Sequence, residues 1–174
     1  MEKHIFKTIL ICSIATVFFA CNNETKTIEN KENTTSNVVK TQETEIIPLT
    51  AAAEGKVRHI GKAQFLATIN DFEKSKDWNL KSDLPCVIDF YADWCKPCKM
   101  IAPFMEELAL EYKDKVHFLK VNVDNEEDLA KQFNINGIPA ILYCPKTGKP
   151  EMRVGGMPKA EIKNTIEKVI FGKK

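Results

Sequence analysis

The segment Trp94-Cys95-Lys96-Pro97-Cys98 has the residue types and the spacing to do chemistry. Two cysteines two residues apart, at the start of a helix, bring both sulfurs onto its first turn. The first thiol then lies near unpaired N–H groups and the positive end of the helix dipole, which stabilise a thiolate. Such a pair can cycle between dithiol and disulfide. It could also be half of a zinc site, but structural zinc takes four ligands. Beyond the N-terminal region only His59 and His117 are on hand, both in strand candidates and distant from the pair in sequence. No metal and no organic cofactor is expected. Asp89 lies six residues before Cys95 and interrupts an otherwise apolar run. A buried carboxylate is costly without a partner or a task, and burial raises its proton affinity, so Asp89 is a candidate proton acceptor. The alternative is an edge-strand Asp facing water, against which Val87, Ile88 and Phe90 argue. Pro139 directly precedes a run that reads as a central strand. Proline cannot donate to a sheet ladder, so it marks either a special geometry such as a cis bond or a plain trans turn.

The elements that must position these residues follow from periodicity. Val57 to Ile60 is a short strand candidate, and Gly61 breaks it. Ala63, Leu66, Ala67 and Ile69 support a helix over 62–72. A polar link carrying Trp78 runs to Asp83. Cys86 to Tyr91 is a nearly continuous apolar run of strand length, the pattern of a central strand covered on both faces. A helix from Cys95 to about Tyr112 contains Pro103, which should kink it. Val116 to Val123 is a strand. Asn125 can cap a helix running from Glu126 to about Phe133. Ala140 to Cys144 and Glu151 to Val154 are strands. Pro158 suits the first turn of a last helix with an apolar stripe of Ile162, Ile166, Val169 and Ile170. This order predicts an α/β domain with a mixed sheet and helices on both faces.

The chain has 174 residues, with 25 Lys and Arg against 24 Asp and Glu. So even a balance gives no field to steer nucleic acid, and no nucleic-acid partner is expected. The six cysteines, at 12, 21, 86, 95, 98 and 144, are too unevenly spread for a disulfide scaffold. Lys3 and Lys7 precede an apolar run from Ile9 to Ala20 that is short for a membrane span, which takes about 20 residues. Basic start, short apolar stretch and small closing residue read as a secretory signal. Cys21 follows Ala20 at once, which resembles the signal of bacterial lipoproteins, whose cysteine is acylated after cleavage. Phe18 stands where that pattern usually has Leu; an uncleaved anchor or a plain signal cut elsewhere are the alternatives. Residues 1–20 are therefore expected to be a lipoprotein-type signal and 21–56 a disordered polar tether, rich in Asn, Thr, Glu and Lys. Residues 57–174 form the domain.

Val87 to Pro103, containing Asp89 and the cysteine pair, closely resembles the active-site segment of the thioredoxins. So do Lys120-Val121-Asn122-Val123-Asp124, Asn136-Gly137-Ile138-Pro139-Ala140 and Val154-Gly155-Gly156. The resemblance runs in order over about 57–174. It implies the thioredoxin fold, a central mixed five-stranded sheet flanked by helices on both faces, with Pro139 cis beside the cysteines. It also implies a protein-disulfide reductase in which Cys95 is the nucleophile and Cys98 resolves the mixed disulfide. Ile138, Pro139, Gly155 and Trp94 would meet the substrate chain. Lys120 matches a family lysine near the buried Asp; it could equally be a snorkelling surface lysine. Lys96 departs from the usual Gly, while Pro97 is kept, so the redox poise is tuned by an added cation. An oxidase running the same residues in reverse, or a tethered binding or chaperone module, are the other readings. The expected partners are disulfide-bearing protein substrates and a membrane electron relay as donor. The protein is expected to be a monomer, lipid-anchored through Cys21 on the extracytoplasmic, periplasmic side. In this arrangement Cys86 and Cys144 would be neighbours on adjacent antiparallel strands, and free thiols.

Overall fold

The computed structural model describes residues 46, 48, 49 and 53–173. The signal-type segment 1–20, Cys21 and most of the polar stretch after it lie outside the described residues. Five strands form one sheet: β1 (Val57–His59), β2 (Cys86–Tyr91), β3 (His117–Asn122), β4 (Ala140–Cys144) and β5 (Glu151–Val154). Their order is β1-β3-β2-β4-β5, so β2 is the central strand. It pairs with β3 in parallel and with β4 antiparallel. Every residue of β2 from Cys86 to Phe90 is buried, as its apolar run requires.

Alternate residues of the sheet feed two cores, because successive side chains of a strand point to opposite faces. On one face Ile88, Phe90, Leu119, Val121 and Leu142 pack with helices α1 (Lys62–Thr68) and α3 (Glu127–Gln132) through Phe65 and Leu129. On the other, Val87, Phe118, Ile141 and Tyr143 pack with α2 (Lys96–Glu111) and α4 (Lys159–Thr165) through Ile101, Met105, Leu108 and Ile162. Helices thus cover both faces, as the apolar patterning predicts. The helix α2 runs continuously through Pro103. Beyond α4 the chain widens into a π-helical stretch, Ile166–Ile170, which still delivers Ile166 to the core.

Three expectations are corrected. The first helix ends at Thr68 rather than near residue 72. There the Asn70 N–H bonds back to Phe65, while the Asn70 amide and Lys81 Nζ turn to the carbonyls of Asn79 and Leu66. Asn125 does not cap α3; Glu126 holds the cap position, without a side-chain bond of its own to that helix. Its carboxylate instead accepts the Lys62 N–H at 2.9 Å and so caps α1 from across the fold. Gly61 makes this possible: a Cβ there would lie 2.5 Å from Glu126 Oε1. Finally, the tether does not stay free to residue 56. Leu49 and Ala53 are buried, Leu49 in the α1 and α3 core, and the Ala53 carbonyl accepts the Asp114 N–H at 2.9 Å. Ile46, Ile47, Pro48 and Leu49 form only a short apolar run interrupted by proline, too brief a pattern to announce that docking.

Cys86 and Cys144 are register partners on β2 and β4, both fully buried and both free thiols. Burial and the neighbouring Cys86 thiol push the Cys144 thiol well above its ordinary range, which keeps it protonated and inert.

Candidate active site

Strand β2 ends at Tyr91, and four residues later the chain turns into α2 at Cys95, the N-cap residue. The Cys95 N–H bonds to the Ala92 carbonyl, which sets the turn, and Pro97 sits in the first helical turn where a missing N–H costs nothing. Cys95 and Cys98 are joined as a disulfide, with S–S 2.06 Å and Cα atoms 5.3 Å apart. Cys95 Sγ accepts the backbone N–H of Cys98 at 3.2 Å. Once the bond is reduced, that N–H and the dipole of a sixteen-residue helix favour a thiolate on Cys95.

The antiparallel return of β4 brings the cysteines a second element. Ile138–Pro139 is a cis peptide bond, and it immediately precedes β4. This settles the two readings of Pro139. Ile138, Tyr91 and Val123 pack against the disulfide and Ala92. The Pro139 carbonyl accepts the Gly155 N–H at 2.8 Å, and Gly155 adopts φ 105°, a region that favours glycine. No backbone hydrogen bond from Ile138 is present among the described residues. Trp94 is 67% exposed and donates its indole N–H to Asp124 at 2.9 Å. With Ile138 it borders an open groove of about 520 Å³ that runs along α3 past Lys131 and Glu127. On the far side of the pair, Pro97, Met100, Phe104, Met157 and Pro158 line an apolar groove of about 420 Å³.

Asp89 is 5% exposed and its Oδ1 has no hydrogen-bond partner. Desolvation raises its pKa from the ordinary 3.8 to about 7, and the attraction of Lys120 opposes that rise. Lys120 is its register partner on β3. The edge-strand alternative for Asp89 is therefore excluded by the sheet order. Lys96 is exposed at the start of α2. His59 and His117 lie on β1 and β3, and no group of three or more His, Cys, Asp or Glu side chains is placed to hold a metal among the described residues. Tyr91, Val123 and Asp124 are the site residues that the sequence did not single out. Val123 and Asp124 sit in a matching segment, but only the parallel pairing of β3 with β2 shows that Val123 reaches the cysteines and Asp124 reaches Trp94.

The thioredoxin family model matches residues 56–168. The chain belongs to the thioredoxin family. A thioredoxin of Borreliella burgdorferi is 38% identical over 108 residues, which is 62% of this chain and 92% of that protein. A thioredoxin of Haemophilus influenzae is 36% identical over 115 residues, 66% of this chain and 98% of that protein. Among solved structures, a chloroplastic thioredoxin z is 28% identical with a TM-score of 0.55, over 66% of this chain and 94% of that one. Family membership and the joined cysteine pair make this chain a thiol–disulfide oxidoreductase of thioredoxin type.

The buried carboxyl of this thioredoxin domain carries a stability signature. Between about pH 4 and 7 the folded protein holds a proton on Asp89 that the unfolded chain has lost. Stability therefore falls as pH rises through that window, and the loss is complete above about pH 7. Three pH units correspond to on the order of 4 kcal/mol. Asp89→Asn should stabilise the oxidised protein by up to that amount at pH 8 and by almost nothing at pH 3.5. Urea unfolding at the two pH values checks this; an equal effect at both, or destabilisation at pH 8, contradicts it.

Proposed function

We propose that this protein is a protein-disulfide reductase that acts by dithiol–disulfide exchange. The observation that carries the reading is the joined cysteine pair itself, at a helix N-terminus, with a buried carboxyl of raised proton affinity on the strand before it. Reduced Cys95, as thiolate, attacks one sulfur of a substrate disulfide, and the other substrate sulfur leaves as a thiolate. The product is a Cys95–substrate mixed disulfide. Asp89, by way of a water molecule, takes the proton of Cys98. The Cys98 thiolate then attacks Cys95, the substrate leaves with both electrons, and the Cys95–Cys98 disulfide remains. The free backbone of Ile138 beside cis Pro139 pairs with an extended substrate segment, and Trp94 and Gly155 border it. Lys96 adds a cation near the sulfurs, which favours the thiolate and shifts the pair toward a more oxidising poise than a glycine there would give. Pro97 keeps the first turn rigid.

The same proposal includes a place of work. The basic start, the short apolar run and Ala20-Cys21 support cleavage before Cys21 and its acylation. A monomeric domain would then act from a lipid anchor on the extracytoplasmic, periplasmic side. Its substrates are disulfide-bearing proteins, and its electrons come from a membrane relay.

Two measurements test these parts. Cys98→Ala should halt the reaction at the first exchange, so that substrate proteins are caught on Cys95 and released by dithiothreitol. Absence of captured adducts, or the same adducts from Cys95→Ser, contradicts the reductase reading. Mass spectrometry of the mature protein should find an acylated Cys21 at the N-terminus; an unmodified Cys21 or a different start contradicts the anchor.

A further inference from the structure

Register places Lys120 on β3 between His59 on β1 and Asp89 on β2. Alternation along the strands sends all three side chains to the face covered by α2 and α4, with Phe118, Val87 and Val57 two residues away. Adjacent strands are about 4.8 Å apart, well within reach of a lysine stem. The Lys120 ammonium nevertheless makes no hydrogen bond to Asp89 and acts on it only by Coulombic attraction. It lies instead over the ring of Tyr91, 5.5 Å from the centroid. Tyr91 is two residues beyond Asp89, on the same face. The Tyr91 hydroxyl is in turn held by His59 Nδ1 at 3.2 Å, and the two rings meet edge to face with centroids 5.8 Å apart.

We propose that Tyr91, braced by His59, is a positioning residue that parks the Lys120 ammonium on its ring and so leaves the Asp89 carboxyl unpaired and able to take a proton. A ring face attracts an ammonium, and more strongly as water is excluded. An ion pair with Asp89 would do the opposite of what a proton acceptor needs: it would hold the carboxyl ionised into the acid range. The other groups on this face leave the arrangement intact. Asp89 faces uncharged Ile141 across β4, and Lys120 is the one charged group that acts on it among the described residues. His59 faces Lys120, Asp93 after β2 and Glu106 of α2. Burial and Lys120 hold its pKa below 6.5, so at neutral pH it is an uncharged partner for the Tyr91 hydroxyl.

The inference rests on the reading of Asp89 as proton acceptor, but its test needs no turnover. The ionisation of Asp89 is followed by the carboxyl carbon resonance in the oxidised full-length protein. Tyr91→Leu removes the ring, and the midpoint should fall by about one pH unit, a tenfold loss of proton affinity, as Lys120 closes on Asp89. Tyr91→Phe keeps the ring and should lower the midpoint less. In a Lys120→Met background, Tyr91→Leu should produce no fall. A midpoint that stays or rises in Tyr91→Leu, or falls equally without Lys120, overturns the proposal. A second readout uses the wild type alone, should Tyr91→Leu not fold. The ε-methylene protons of Lys120 should be shifted upfield by the ring current of Tyr91, and unshifted protons overturn the proposal. Failure here leaves the capture of substrates on Cys95 untouched, and an empty capture experiment leaves this titration valid.

Discussion

The site depends on the pairing of β2 with β3 on one side and β4 on the other. A central strand is covered on both faces and bonded along both edges, so its end is a fixed point. Cys95 begins a helix four residues beyond that end. The parallel partner brings Lys120, Val123 and Asp124 to the same end of the sheet, and the antiparallel partner brings Ile138 and Pro139. Parallel and antiparallel neighbours are both needed, because one must arrive at that end as the other departs from it. A slip of one residue in either register would turn Asp89 or its neighbours to the opposite face.

The same strand carries the cost. Val87, Ile88 and Phe90 stabilise the fold by burial, whereas Asp89 between them opposes folding whenever it is ionised. Desolvation outweighs the attraction of Lys120 in setting its proton affinity. That ordering of the two effects is what gives a carboxyl near neutrality, and it holds only while the ammonium remains at a distance. Cys86 and Cys144 show the contrasting use of sulfur in one domain. They lie at the opposite end of the same two strands, without a helix terminus, and they pack as small apolar side chains.

Much of this was legible in the sequence, for physical reasons that can be named. A nearly continuous apolar run marks a covered strand, so β2 reads as central from the sequence alone. The cysteine spacing on a helix start and the odd carboxyl in the run located the groups that the proposed mechanism uses. The resemblance to thioredoxins placed cis Pro139 and the opposition of Cys86 to Cys144. What was not legible depends on contacts between segments far apart in the chain. Glu126 caps α1 from 64 residues away. Leu49 docks from a short apolar run, Ile46 to Leu49, that is too brief to show a period. The parking of Lys120 needs three strands in register. Local patterning carries no information about any of these.

The central claim is that Cys95, at the start of α2, is the nucleophile and Cys98 its resolving partner. The rate of iodoacetamide alkylation of the reduced protein, resolved by residue and followed against pH, tests it most directly. The account predicts that Cys95 is labelled first, with a midpoint below the roughly 8.5 of an unperturbed thiol, and that Cys98 is labelled much more slowly. Faster labelling of Cys98, or an ordinary midpoint for Cys95, would contradict it.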